Sequence, residues 1–180
     1  MQIRPFSTDP IPYLMENPMT LDELNAIPGV TAKPDVATAD FVYNHTMIRV
    51  KDAEKSLAFY KDVMGMKLKR VSENKANDFN LYFLGYGPDA PEDSPNGVNP
   101  VAGDEGLLEL TWNYGTEKDS NFKYHDGNSE PQGFGHICIS VDDLDAACQR
   151  FEDQKVSWKK RLTDGRMKNV AFLLGTYTVP

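Results

Sequence analysis

One unit occurs twice in this chain, and it leaves few folds open. Asn44-His45-Thr46-Met47-Ile48-Arg49-Val50 runs into an amphipathic stretch that stops at Gly65, and Gly135-His136-Ile137-Cys138-Ile139-Ser140-Val141 runs into a second such stretch starting at Asp142. Both open as alternating strands. His45, Met47 and Arg49 share one face, as do His136, Cys138 and Ser140, while the intervening residues are mostly apolar. One face of each strand suits a helix-covered core, and the other lines something that needs polar groups.

Extending the pattern gives a first module over 41–113. A strand over 43–50 leads to a helix over 53–64, with Leu57, Phe59, Tyr60, Val63 and Met64 at helical spacing. Strands are predicted over 67–71, 79–84 and 107–113, with a Pro/Gly-rich loop over 85–106. A connecting loop spans 114–132, and loops of that length in a compact domain are usually functional or mobile. The second module, 133–180, repeats a strand (134–141), a helix (143–154) and two strands (156–162 and 168–174). Its counterpart to 107–113 is missing, because Leu174 is followed by only six residues. The fold class is therefore α+β, with paired βαβββ modules whose second copy lacks its last strand. Residues 1–40, broken by six prolines, are expected to form an irregular N-terminal arm, with a short turn after a Thr20 cap.

Composition narrows the function classes. The chain of 180 residues carries a net charge of −8, which argues against nucleic acid or an anionic membrane as partner. No apolar run is long enough for a membrane span, and no secretory leader is evident, so the cytosol is the expected compartment. Cys138 and Cys148, the two cysteines, suggest no disulfide framework.

Three residues stand out for chemistry. Glu109 sits inside the apolar run Leu107-Leu108-Glu109-Leu110-Thr111-Trp112. A carboxylate there must be exposed at an edge, paired or metal-bound, because an unpaired buried charge costs several kcal/mol. If the polar faces of the modules meet inside a cupped sheet, His45, Glu109 and His136 converge. Two imidazoles and a carboxylate suit Zn, Ni or Fe(II). His125 has no repeat partner and is set aside. Arg49 lies on the face of His45, about 13 Å along the strand, and Asn113 stands at the same spacing from Glu109. Together they suit the far end of an elongated anionic ligand. Arg166-Met167-Lys168 adds positive charge at a turn.

The segments His45–Asp52, Ser56-Leu57-Ala58-Phe59-Tyr60, Leu108–Glu117, Tyr124–Ser129, Gly133–Ile137 and Asp164–Lys168 resemble glyoxalase I, of the vicinal-oxygen-chelate superfamily, from about Phe41 to Leu174. The resemblance implies a metal-dependent isomerisation of the glutathione–methylglyoxal hemithioacetal to S-D-lactoylglutathione, with a glutamate moving the proton. It implies His45, Glu109 and His136 as ligands of Zn2+, or of Ni2+, Glu109 as a catalytic group, and a homodimer. Arg49, Asn113, Gln132, His136, Arg166 and Met167 match substrate-binding positions, Gln132 replacing a common arginine. The family's fourth ligand and principal base is a glutamate on the last strand, and its position falls just beyond Pro180. A truncated product with reduced isomerase activity is therefore expected. Two alternatives are a non-catalytic binder of metal and glutathione conjugates and an Fe(II) ring-cleaving dioxygenase of the same superfamily.

Overall fold

The computed structural model describes residues 1–5, 19–29, 33, 35–90 and 99–175. Most of the expected arm, the middle of the 85–106 loop and the tail after Gly175 lie outside the described residues. The chain divides into two compact units, Met1–Phe6 with Tyr43–Pro180, and Ser7–Val42. In the smaller unit, α1 (Leu21–Asn25) starts at Thr20 with a capping box: the Glu23 backbone N–H donates to the Thr20 hydroxyl, and the Glu23 carboxylate accepts from the Thr20 backbone N–H.

The larger unit holds two four-stranded sheets. Strand β1 is Gln2–Pro5, and the first module supplies β2 (His45–Val50), α2 (Ala53–Ala58), β3 (Lys67–Asn74), β4 (Phe79–Gly85) and β5 (Leu107–Asn113). The second module supplies β6 (Cys138–Val141), α3 (Leu144–Asp153), β7 (Trp158–Lys160) and β8 (Ala171–Leu173). The repeat is visible in local devices. Asp52 caps α2 by accepting from the Lys55 N–H (3.1 Å), and Asp143 caps α3 by accepting from the Ala146 N–H (2.9 Å). Each second strand carries a register irregularity at the same place, between Leu68 and Arg70 in β3 and between Trp158 and Lys160 in β7.

Two expectations change. The first helix is α-helical only to Ala58 and then widens to a π turn over Phe59–Val63. A bond from Met64 N–H to the Phe59 carbonyl, and one from Met66 N–H to the Tyr60 carbonyl, close the wider end around left-handed Gly65. The strand expected over 134–141 is regular only from Cys138, since the backbone before it is drawn toward the 125–129 loop. There Gly127, at φ +77°, lies so close to Phe134 that a Cβ would collide with the Phe134 carbonyl.

The larger correction is topological. The first sheet is ordered β2-β5-β4-β3, with β5 parallel to β2 and antiparallel to β4. The second sheet is ordered β6-β1-β8-β7, with β1 parallel to β6 and antiparallel to β8. The place expected to stand empty in the second module is thus taken by residues 2–5, which were expected to be part of the irregular arm. The Gln2 N–H donates to the Ile137 carbonyl (2.7 Å), and the Leu173 N–H donates to the Met1 carbonyl (2.9 Å). Ile3, fully buried, joins Val50, Tyr60, Met64, Leu84, Leu110, Ile139, Phe151 and Leu173 in one core. That core takes the apolar faces of both sheets and residues of both helical segments. Truncating Ile3 to alanine should therefore cost about 3 kcal/mol in urea unfolding; a value near zero would show β1 to be a loose arm.

Candidate active site

Strand β5 is buried on both sides of its pleat, from Leu107 to Thr111. Leu108 and Leu110 enter the shared core, while Glu109 points to the opposite face, opposite Met47 on β2 and Phe83 on β4. The carboxylate is 10% exposed and is not left alone. Its Oε2 lies 3.0 Å from His45 Nε2, and its Oε1 accepts from the Thr111 hydroxyl at 3.2 Å. Pairing answers the question raised by a carboxylate in an apolar strand.

The proton on His45 follows from its neighbour. The Asn44 amide nitrogen donates to the carbonyls of Val101 and Asp104 (both 2.8 Å), which fixes its oxygen as the acceptor facing His45 Nδ1 at 2.7 Å. Nδ1 therefore carries a hydrogen, and Nε2 is the ring nitrogen that faces Glu109. An imidazole nitrogen and a carboxylate oxygen 3.0 Å apart, one ring held through its far nitrogen, form a donor pair that suits a divalent cation. Phe83 stands against the His45 ring edge-to-face, with centroids 5.5 Å apart. Asn44 and Phe83 were not singled out from the sequence; their only signals are adjacency to His45 and a shared sheet face with Glu109.

Farther along the same face, Arg49 Nη1 donates to the Asn113 side-chain oxygen at 2.9 Å, and the Tyr124 hydroxyl lies 3.3 Å from the same atom. Burial pushes the Tyr124 phenol above its ordinary range despite the opposing pull of Arg49, so it remains a donor at neutral pH. The Thr116 hydroxyl sits 2.6 Å from the Lys51 carbonyl and 2.9 Å from the Asn113 carbonyl, which ties the ends of β2 and β5 together. The structure thus brings Arg49 and Asn113 together at the end of the face away from His45. Gln132, Arg166 and Met167 are exposed, and the Lys160 ammonium donates to the Met167 carbonyl at 2.6 Å.

His136 does not join His45 and Glu109. It is exposed and stands edge-to-face on Phe172, with centroids 5.8 Å apart. Among the described residues no three His, Cys, Asp or Glu side chains form a metal-holding group. The expected meeting of polar faces within one chain is corrected here. The apolar faces of both sheets share one core, which leaves the His45 and His136 faces on its outer sides.

The model of the Glyoxalase/Bleomycin resistance protein/Dioxygenase superfamily matches residues 42–177. A lactoylglutathione lyase of Pseudomonas putida is 52% identical over 157 residues, covering 86% of this chain and 91% of that protein. The chain belongs to the glyoxalase I family. A glyoxalase I of Saccharomyces cerevisiae is 53% identical over 134 residues, 73% of this chain and 39% of that longer protein. Among solved structures, a Leishmania major glyoxalase I superposes with a TM-score of 0.56 at 28% identity, covering 76% of this chain and 81% of that one. A Zea mays glyoxalase I gives 0.56 at 25% identity, covering 76% and 41%. Two four-stranded sheets with helices are what these glyoxalase relatives lead one to expect. No helix among the described residues is long and apolar enough to cross a membrane.

Asn44 holds three structural carbonyls as well as the ring of His45. Asn44→Ala should lower stability by about 1 kcal/mol in chemical denaturation, because two part-buried carbonyls lose their donor. A cost below a few tenths would mean that the 101–104 loop is held by other contacts.

Proposed function

We propose that this member of the glyoxalase I lyases converts the hemithioacetal of glutathione and methylglyoxal to S-D-lactoylglutathione. The single observation that carries the reading is the His45–Glu109 pair, with Arg49 and Asn113 bonded to each other farther along the same face. The reaction moves one proton from C1 to C2 of the substrate. The electrons of the C1–H bond become the C1=C2 bond of an enediolate and then the new C2–H bond. The C1 hydroxyl gives up its proton to become the carbonyl, and the C2 oxygen takes one up to become the hydroxyl. Glu109 is the group that takes and returns that proton. Its carboxylate lies within a sheet, away from bulk water, and Thr111 orients one of its oxygens.

His45 and Glu109, with His136, are the residues that would hold Zn2+, or Ni2+. Such a cation supplies positive charge that stabilises the negative charge on the substrate oxygens. Arg49 and Asn113 engage the glutathione end, where a guanidinium can pair a carboxylate and the amide can hydrogen-bond. Gln132, Arg166 and Met167 are assigned to the same substrate. The net charge of −8 fits a cytosolic protein that holds its anionic substrate through this local basic site. Stripping divalent cations with a chelator should abolish turnover, and Zn2+ should restore it. Glu109→Gln should lower turnover by roughly 10³-fold without unfolding the chain, measured as thioester formation. An unchanged rate would remove Glu109 from the chemistry.

The assembly we propose is a homodimer in which the His45 face of one chain meets the His136 face of its partner. Support comes from the two outward half-sites and from the apolar side chains beside them, Met47 at 43% and Phe134 at 53% exposure. His45→Ala and His136→Ala variants, each inactive alone, should regain about a quarter of native activity when mixed and allowed to exchange. Absence of recovery, with exchange demonstrated, would place the whole site in one chain.

A further inference from the structure

The two sheets correspond in strand register and ring contacts around their histidines. In the first sheet, Glu109 is opposite Met47, two residues beyond His45, and opposite Phe83, whose ring His45 touches. In the second, Gln2 is opposite Cys138, two residues beyond His136, and opposite Phe172, whose ring His136 touches. The strand directions also agree, each being parallel to the histidine strand and antiparallel to the phenylalanine strand. Position, pairing and face therefore map Gln2 onto Glu109. Because side chains alternate with a period of two, fully buried Ile3 fixes Gln2 on the opposite face, the one that carries His136, Cys138 and Phe172.

We infer that Gln2, delivered by the N-terminal strand, is the fourth residue of the metal-facing set, a neutral carboxamide where the internal symmetry places a carboxylate. This rests on the metal-site and homodimer readings above. Two chemical consequences follow. A carboxamide oxygen is an acceptor that can coordinate a divalent cation, but it brings no charge, so the set of two histidines, Glu109 and Gln2 binds the cation more weakly than one with two carboxylates. A carboxamide also takes up no proton near neutral pH, so proton movement falls to Glu109 and not to the residue on β1. The same end of the chain anchors the sheet: Ile3 fills the core, the Gln2 N–H donates to the Ile137 carbonyl, and the Met1 carbonyl accepts from the Leu173 N–H.

Placement and metal role are tested separately. In Gln2→Cys, mild oxidation should join residue 2 to the native Cys138 thiol, with loss of two hydrogens in the mass spectrum. Cys138→Ser in that background should abolish the link, and Ile3→Cys, which faces the core, should not form it. Absence of the Gln2→Cys link overturns the placement, whatever the metal does. Zn2+ affinity is then measured by competition with a chromophoric chelator on the full chain. Gln2→Glu should bind about tenfold more tightly than the native chain and Gln2→Ala about tenfold more weakly. Equal affinity of the three, with His45→Ala impaired, overturns the role of Gln2. Equal affinity of native and His45→Ala chains overturns the metal reading itself.

Discussion

Everything at this site depends on one register, the parallel pairing of His45–Val50 with Leu107–Asn113. A slip of one residue would turn Glu109 into the apolar core and expose Leu108 and Leu110. Both errors are costly, since an unpaired carboxylate would be buried and two leucines would lose their contacts. Correct pairing does the reverse, setting the carboxylate against His45 Nε2 while the leucines close the interior. The energy that fixes the sheet is the same energy that aims the site.

The second constraint is that two half-covered sheets share a single core. Each sheet must bury one face, and here both do so in common, around Val50, Tyr60, Leu110, Ile139 and Phe151. The faces carrying His45 and His136 are consequently left outside it. Each presents a histidine seated on a phenylalanine, but only the first has a carboxylate beside it. That asymmetry is the main chemical difference between the two faces. The N-terminal strand explains how the second sheet keeps four strands, since it pairs with both β6 and β8 and joins them in one sheet.

Much of this was readable from residue order. Alternation around His45 and His136 announced two strands with one polar face each, and Leu107–Asn113 agreed with the observed strand to the residue. Strand spacing alone placed Arg49 and Asn113 at the same distance from His45 and Glu109, and the hydrogen bond between the two is a feature the spacing did not state. The contribution of Asn44 was not readable, because its role depends on carbonyls of Val101 and Asp104 brought up by a loop. Nor was β1: a four-residue strand has no period long enough to recognise, and proline-rich sequence follows it. The π turn after Ala58 was hidden because the spacing of apolar residues tolerates either helix type over one turn.

The sequence by itself determined the repeated module, the polar and apolar faces of its strands, and which residues on the polar faces carry imidazole, carboxylate and guanidinium groups. These are local properties, set by the two-residue period of a strand and by side-chain chemistry. Only the tertiary structure decided which segment fills the last place in the second sheet and that Gln2 stands where symmetry places a carboxylate. Only it decided that His136 lies apart from His45 within one chain. Those outcomes come from burying two apolar faces and pairing every strand at once, a global balance that no local pattern records.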